Sequence, residues 1–265
     1  MNINLRGGLA LIRGTWLSWL EGRAFFFLLA FGWMISPLIS LFVWYTAAGG
    51  NAIGGLTQRE FVTYYLVFIF VNQLTYSQTN WTVGDGIRSG AMTLILLRPL
   101  PPLFGTIAAE VAGKVVLMLF VIPISLVLAV LLHPELHTSP LNIVLFLVTL
   151  LLAWLLRFFW GYWIALLAFW ATRADALLSV QEALVFLFAG QVAPLALLPI
   201  SLQGVADVLP FRYMISFPIE ILLGKLNTTQ LLLGLAYQLG WLVVACVLYN
   251  ILWRRGVRRY TAVGG

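Results

Sequence analysis

"LLRPLPPLFGTIAAEVAGKVVLMLFVIPISLVLAVLL" spans residues 96–132, and its two parts make opposite demands on the backbone. Residues 107–132 are an almost unbroken apolar run. It exceeds the roughly 20 residues that a helix needs to cross a hydrocarbon core of about 30 Å. Residues 96–105 place Pro99, Pro101 and Pro102 just after Arg98. Each proline lacks an N–H and clashes with the preceding turn, so no single helix runs through them. The stretch reads as a membrane span entered through a stiff, charged joint.

The rest of the chain agrees. Of its 265 residues 62% are hydrophobic and only 9% charged, with a mean hydropathy of +0.99. Soluble domains carry about 25% charged residues. The expected fold class is therefore an all-α integral membrane protein, a single transmembrane domain over 1–265 with little chain left for a water-soluble catalytic domain. Six transmembrane helices are expected, at about 25–47, 61–83, 107–132, 141–171, 177–199 and 230–253. Before them, residues 1–24 carry Leu5, Leu9, Ile12, Trp16 and Trp19 on one helical stripe, which suits an amphipathic helix lying in the interface. A frayed amphipathic leader fits the same pattern. Between the last two spans, "PISLQGVADVLPFRYMISFPIEILLGKLN" is broken by Pro199, Pro210 and Pro218. It reads as an external, re-entrant segment over 200–229. No removable signal peptide is expected. The single cysteine, Cys246, excludes an intramolecular disulfide framework and reads as a buried, inert thiol.

Orientation follows from the basic residues. One side receives Arg6, Arg13, Arg23, Arg88, Arg98, Lys114, Arg173, Arg254, Arg255, Arg258 and Arg259; the other receives Arg59, Arg212 and Lys225. Eleven against three places both termini, and the 84–106 loop, in the cytoplasm. The pI near 9.8 is thus a mark of topology and not of a nucleic-acid partner. Within that loop, "GDGIRSGAMTLILLR" contains a short apolar helix that must stop before Pro99. A docked partner and a membrane-flush turn both satisfy these residues.

"SGAMTLILLRPLPPLFGTIAAEVAGK", residues 89–114, resembles the first cytoplasmic loop of the type-2 ABC exporter permeases. Gly90, Met92, Leu96, Pro99, Leu100, Gly113 and Lys114 occupy the places of that family's pattern, and the order of interfacial helix, spans and broken hairpin extends it over most of the chain. The branch it looks most like has permeases in pairs. The resemblance implies a coupling helix seated on a separate ABC ATPase, with Arg88, Gly90, Met92, Leu96, Arg98 and Pro99 in the coupling region. It also implies a second permease, identical or related, a lipid surround and a bacterial plasma membrane. Met92 and Leu96 would be knobs in an ATPase pocket, and Arg98 would meet an acidic rim or lipid phosphate. Where many members carry an acid in the short helix, Thr93 stands here, so the electrostatics of docking are not carried over.

Inside the membrane, Arg157 in "LLAWLLRFFWGYW" would cost roughly 2.5–3.5 kcal/mol without a partner or water. It faces the translocation path or a second permease, pairs with an acid such as Glu182 or Glu110, or snorkels along a tilted span. Trp160 and its aromatic neighbours line the path or pack against lipid. Glu182 lies near an inner gate, and Gln191 and Arg212 belong to an outer one. Glu110 and Lys114, four apart in the favourable order, suit a structural pair better than a proton relay. "HPELH" at 133–137 reads as a plain turn and not as a metal site. No phosphate-binding loop, H-E-x-x-H or nucleophile elbow occurs. Catalytic residues, metal and bound cofactor are therefore not expected on this chain, and ATP and magnesium belong to the partner ATPase. The expected function is the permease of an ATP-driven exporter for a hydrophobic or amphipathic substrate. The alternatives are an ion-gradient-driven secondary transporter or channel, and an intramembrane enzyme acting on lipid, for which no paired catalytic groups are evident.

Overall fold

The computed structural model describes residue 14 and residues 23–171 and 173–260, which form helices and turns; an isolated bridge between Ile53 and Leu56 is the one β-type pairing among them. Apart from Gly14 and the start of the first helix, the interfacial helix expected over 1–24 lies outside the described residues. Among the described residues, four helices are long and apolar enough to cross a membrane: Arg23–Ala48 (α1), Pro102–Leu132 (α5), Pro140–Leu166 (α6) and Thr228–Arg259 (α11). Local chemistry sets their ends. Pro102 and Pro140 occupy the first turn, where the missing N–H costs nothing. Ser139 Oγ accepts from Asn142 N at 3.2 Å. Asn227 and Gln230 cap α11 reciprocally at 2.8 and 3.0 Å.

Two expected spans come out differently. The one at 61–83 is split into Gln58–Thr75 (α2) and Thr79–Arg88 (α3), because Tyr76 leaves the helix with φ −57° and ψ 135°. The polar run "NQLTYSQTN" at 72–80 hosts the break. The one at 177–199 is a 15-residue helix, Ala174–Phe188 (α7), that ends before Gly190. Gly190 has φ +80°, and a Cβ there would lie 2.1 Å from the Tyr64 hydroxyl and 2.5 Å from Ser216 Oγ, so only glycine fits. Met92–Leu96 (α4), Ile200–Val208 (α8), Pro210–Met214 (α9) and Ser216–Leu222 (α10) are the remaining α-helices among the described residues.

Helix α6 is the hub, packing against α2, α3, α7, α10 and α11. Near the α8–α10 end, Phe61, Tyr65, Phe68, Tyr213 and Phe217 are fully buried around it. Near the α4 end, Met92, Phe158, Tyr162, Leu178 and Tyr249 form a second core. Exposed leucines and valines on α5, α6 and α11, such as Leu126, Val130, Leu147, Leu151 and Val243, give the outside an apolar belt.

Candidate functional site

Three arrangements stand out along the axis of the bundle. The first is the joint between α3 and α5. Gly90, at φ +81°, turns the chain from α3 into α4. Helix α4 has a buried face and an exposed face, both apolar, which hydrophobicity alone does not tell apart. Met92, with Ile95 and Leu96 at spacings of three and four, faces inward: Met92 is 1% exposed in the second core, and Ile95 and Leu96 pack beside it. Leu94 and Leu97 point out, 69% and 77% exposed. Met92 is therefore not an outward knob, and Leu96 is only half-buried against the bundle; the outward pair is Leu94 and Leu97, next to exposed Arg98 and Pro99.

The joint is fastened on two sides. Arg88 donates to Asp175 Oδ1 at 2.6 Å, at the start of α7, and also meets Asp85. The hydrogen bond from Arg88 holds the Asp175 carboxyl below its ordinary 3.8. On the other side, the Thr93 and Tyr260 hydroxyls lie 3.1 Å apart, and the Tyr260 ring meets Phe169 edge-on at 5.8 Å. Tyr260 follows the last turn of α11, so α4 is joined directly to the final span. Sequence reasoning passed over Asp175, Thr93 and Tyr260 as site residues; no local pattern marks a contact between positions 167 apart.

The second arrangement is a charge network at the α2–α3 break. Arg157 is 2% exposed and donates to Glu182 Oε2 at 2.9 Å, Asn72 Oδ1 at 2.8 Å and Thr75 Oγ1 at 3.2 Å. Its guanidinium stands 5.1 Å from the Tyr76 ring centroid. Glu182 rather than Glu110 is thus its acidic partner. Glu110, itself buried, accepts from Ser77 Oγ at 2.8 Å and from Lys114 at 2.7 Å. Lys114 also donates to the Tyr76 carbonyl, which the helix break leaves without an intrahelical partner. Tyr76 joins the two ion pairs, one through its ring and one through its carbonyl. The run at 72–80 was the available sequence signal for Asn72, Thr75, Tyr76 and Ser77.

The third lies at the opposite end. The carbonyls of Ala189, Gly190 and Val192, freed as α7 ends, accept from Ser216 at 2.6 Å, Tyr64 at 2.9 Å, and Trp44 and Tyr65 at 2.8 and 3.0 Å. Gln191 donates to Ser36 at 3.0 Å, linking the segment to α1. Trp160 sits in an edge-on aromatic cluster with Trp163, Phe211 and Trp241. Beyond it opens a cavity of about 430 Å³, with Arg212 on its wall between Asp207 and Glu220. In the 133–137 turn, Glu135 pairs with Arg59 at 2.6 Å, and no cluster of three metal-ligating side chains occurs among the described residues.

Residues 31–264 match a family model described as ABC-2 family transporter protein. The chain belongs to that family. It is a multi-pass membrane component of an ABC transporter, and membership implies an ABC ATPase as partner. No curated protein and no solved structure matches the chain. Within the family match, the α4 joint, the α2–α3 break and the 189–222 segment all lie inside the matched region.

Proposed function

We propose that the chain is a single transmembrane domain, the permease of an ATP-driven exporter in a bacterial plasma membrane, with both termini in the cytoplasm. The observation that carries this reading is α4: a short helix with bare Leu94 and Leu97, held to α11 by Thr93–Tyr260 and directly following α3, whose last residue, Arg88, is fastened to Asp175 at the start of α7. An ATPase seated on Leu94, Leu97, Arg98 and Pro99 would move three spans at once. Pro99, Pro101 and Pro102 keep the link to α5 stiff, so displacement tilts α5 instead of bending the loop.

Six crossings are completed by α2 and α7. Helix α2, at 18 residues, spans about 27 Å, and α7, at 15, about 22 Å. The irregular 189–199 segment extends α7 toward the outer face, which is tolerated at membrane depth because other chain segments satisfy its carbonyls. The tilt of α7 reaches α6 through Glu182–Arg157 and the outer end through Gly190. A second permease, identical or related, closes the path across the apolar belt, and lipid surrounds the pair. The substrate is hydrophobic or amphipathic. The chain itself binds no ATP, magnesium or other cofactor and contributes no catalytic group.

A gradient-driven transporter would need an intramembrane acid free to load an ion, whereas Glu110 and Glu182 each hold a basic partner. Purification with the native partners tests the reading. An ATPase that copurifies, and substrate export from inverted vesicles that stops on ATP depletion, are expected. Transport that persists without ATP and without an ATPase subunit overturns it.

A further inference from the structure

The cavity of about 430 Å³ at the α8–α10 end falls in the size range of small-ligand sites, about 300–1,000 Å³. Its lining combines charged side chains, Asp207, Arg212, Glu220 and Lys225, with apolar ones, Leu195, Leu223, Leu226 and Leu233. The cavity therefore offers both charged and apolar contacts, as an amphiphile requires. Leu233 and Tyr237 also belong to the exposed face of α11, so the apolar lining continues onto the outside of the bundle.

The sign of the head group follows from the ion pairs. Lys225 donates to Glu60 at 2.6 Å, a self-neutralising couple. Arg212 holds two carboxylates, Asp207 through Nη1 and Glu220 through Nη2, the latter at 2.6 Å. One guanidinium between two carboxylates leaves a net negative charge, in a chain whose own balance is +6. Both terminal nitrogens of Arg212 are held by carboxylates, and its Nε, which has no partner, is closed off from open space, so an anion entering the cavity meets Asp207 and Glu220 before it meets the guanidinium. A cation can share the Asp207 carboxylate with Arg212, because a carboxylate accepts several hydrogen bonds at once. Asp207, with its side chain 55% exposed, turns acceptor capacity toward open space, while Glu220 and Arg212 lie deeper. Tyr213 and Tyr237 stack at 5.8 Å and 16° beside it, adding ring faces that attract cations.

We propose that this cavity binds the protonated amine of an amphiphile, with Asp207 as the principal acceptor, Tyr237 against the ammonium and the alkyl part along Leu223, Leu226 and Leu233. This deepens the permease reading by naming a substrate class and rests on it. The amine could belong to a free alkylamine or to an aminophospholipid head group.

The test uses the permease–ATPase complex in nanodiscs of phosphatidylglycerol, titrated with hexylammonium or hexanesulfonate and corrected against empty nanodiscs. Saturable binding of hexylammonium and none of the sulfonate is expected. Asp207→Asn should weaken the amine about tenfold, the scale of a hydrogen bond to a charged group. Tyr237→Leu should weaken it about threefold, the scale of one exposed cation–π contact. Asp207→Glu should restore binding, and thermal unfolding of each variant checks that the fold is intact. Including phosphatidylethanolamine separates the two sources: suppression of hexylammonium binding assigns the site to the lipid, and undiminished binding assigns it to a free amine. Equal binding of the sulfonate, or unchanged amine binding in a folded Asp207→Asn variant, overturns the proposal. ATPase copurification reports on the permease reading separately and is expected to be the same in every variant.

Discussion

Arg157 and Glu182 are unequal partners, and the inequality makes a prediction. Arg157 has almost no access to solvent, whereas Glu182 keeps 30% of its side chain exposed. Glu182→Ala strands a buried guanidinium that Asn72 and Thr75 can solvate but not neutralise. Removing one member of a buried pair costs about 3–5 kcal/mol. Arg157→Met removes the buried charge itself and leaves Glu182 able to rehydrate. Unfolding in nanodiscs should therefore show a larger loss of Tm for Glu182→Ala than for Arg157→Met; the reverse order would mean that Glu182, not Arg157, is the desolvated charge. At the same scale, Asp175 links stability to pH. Its carboxyl is held below 3.8 by Arg88, so the contribution is fully present above that value and is lost as pH falls through the lowered one. Double-mutant cycles on Arg88 and Asp175 should give a coupling that is flat from pH 5 to 8 and vanishes in stronger acid.

At the scale of elements, α4 separates docking from folding. Leu94→Arg with Leu97→Arg alters only the exposed face and should abolish ATPase copurification while leaving the Tm of the permease unchanged. Met92→Arg instead drives a charge into the second core and should lower the Tm, with the ATPase lost only as a consequence. On the proposed reading the Thr93–Tyr260 contact passes motion from α4 to α11, and it adds little stability, since one hydrogen bond nets about 0.5–1.5 kcal/mol. Thr93→Val with Tyr260→Phe should leave ATP hydrolysis intact and reduce transport per ATP hydrolysed; an unchanged ratio would show that α11 receives no force from α4. The direction of α4 was present in the sequence as spacing: Met92, Ile95 and Leu96 share one helical face and Leu94 and Leu97 another. Hydrophobicity alone does not say which face is buried, because both are apolar.

At the scale of the whole molecule, the topology can be mapped directly. With Cys246 replaced by Ala, a cysteine introduced at Asn51 or Ser201 should react with an impermeant maleimide in intact cells, and one at Ser89 or Arg255 only after the membrane is opened. Labelling of both sets from one side would refute the arrangement of the ends. What the sequence by itself determined was the class of protein and the joint at Pro99–Pro102, because these depend on solvation and on proline's missing N–H. The four long apolar helices were legible for the same reason. The tertiary structure alone decided the break at Tyr76, the end of α7 at Phe188, the choice of Glu182 for Arg157 and the cavity around Arg212. Each of these depends on which groups meet: Arg157 finds Asn72 across 85 residues, and Tyr64 caps Gly190 across 126. In an interior with no water to satisfy a donor or a charge, the partner across the bundle decides, and local sequence does not name it.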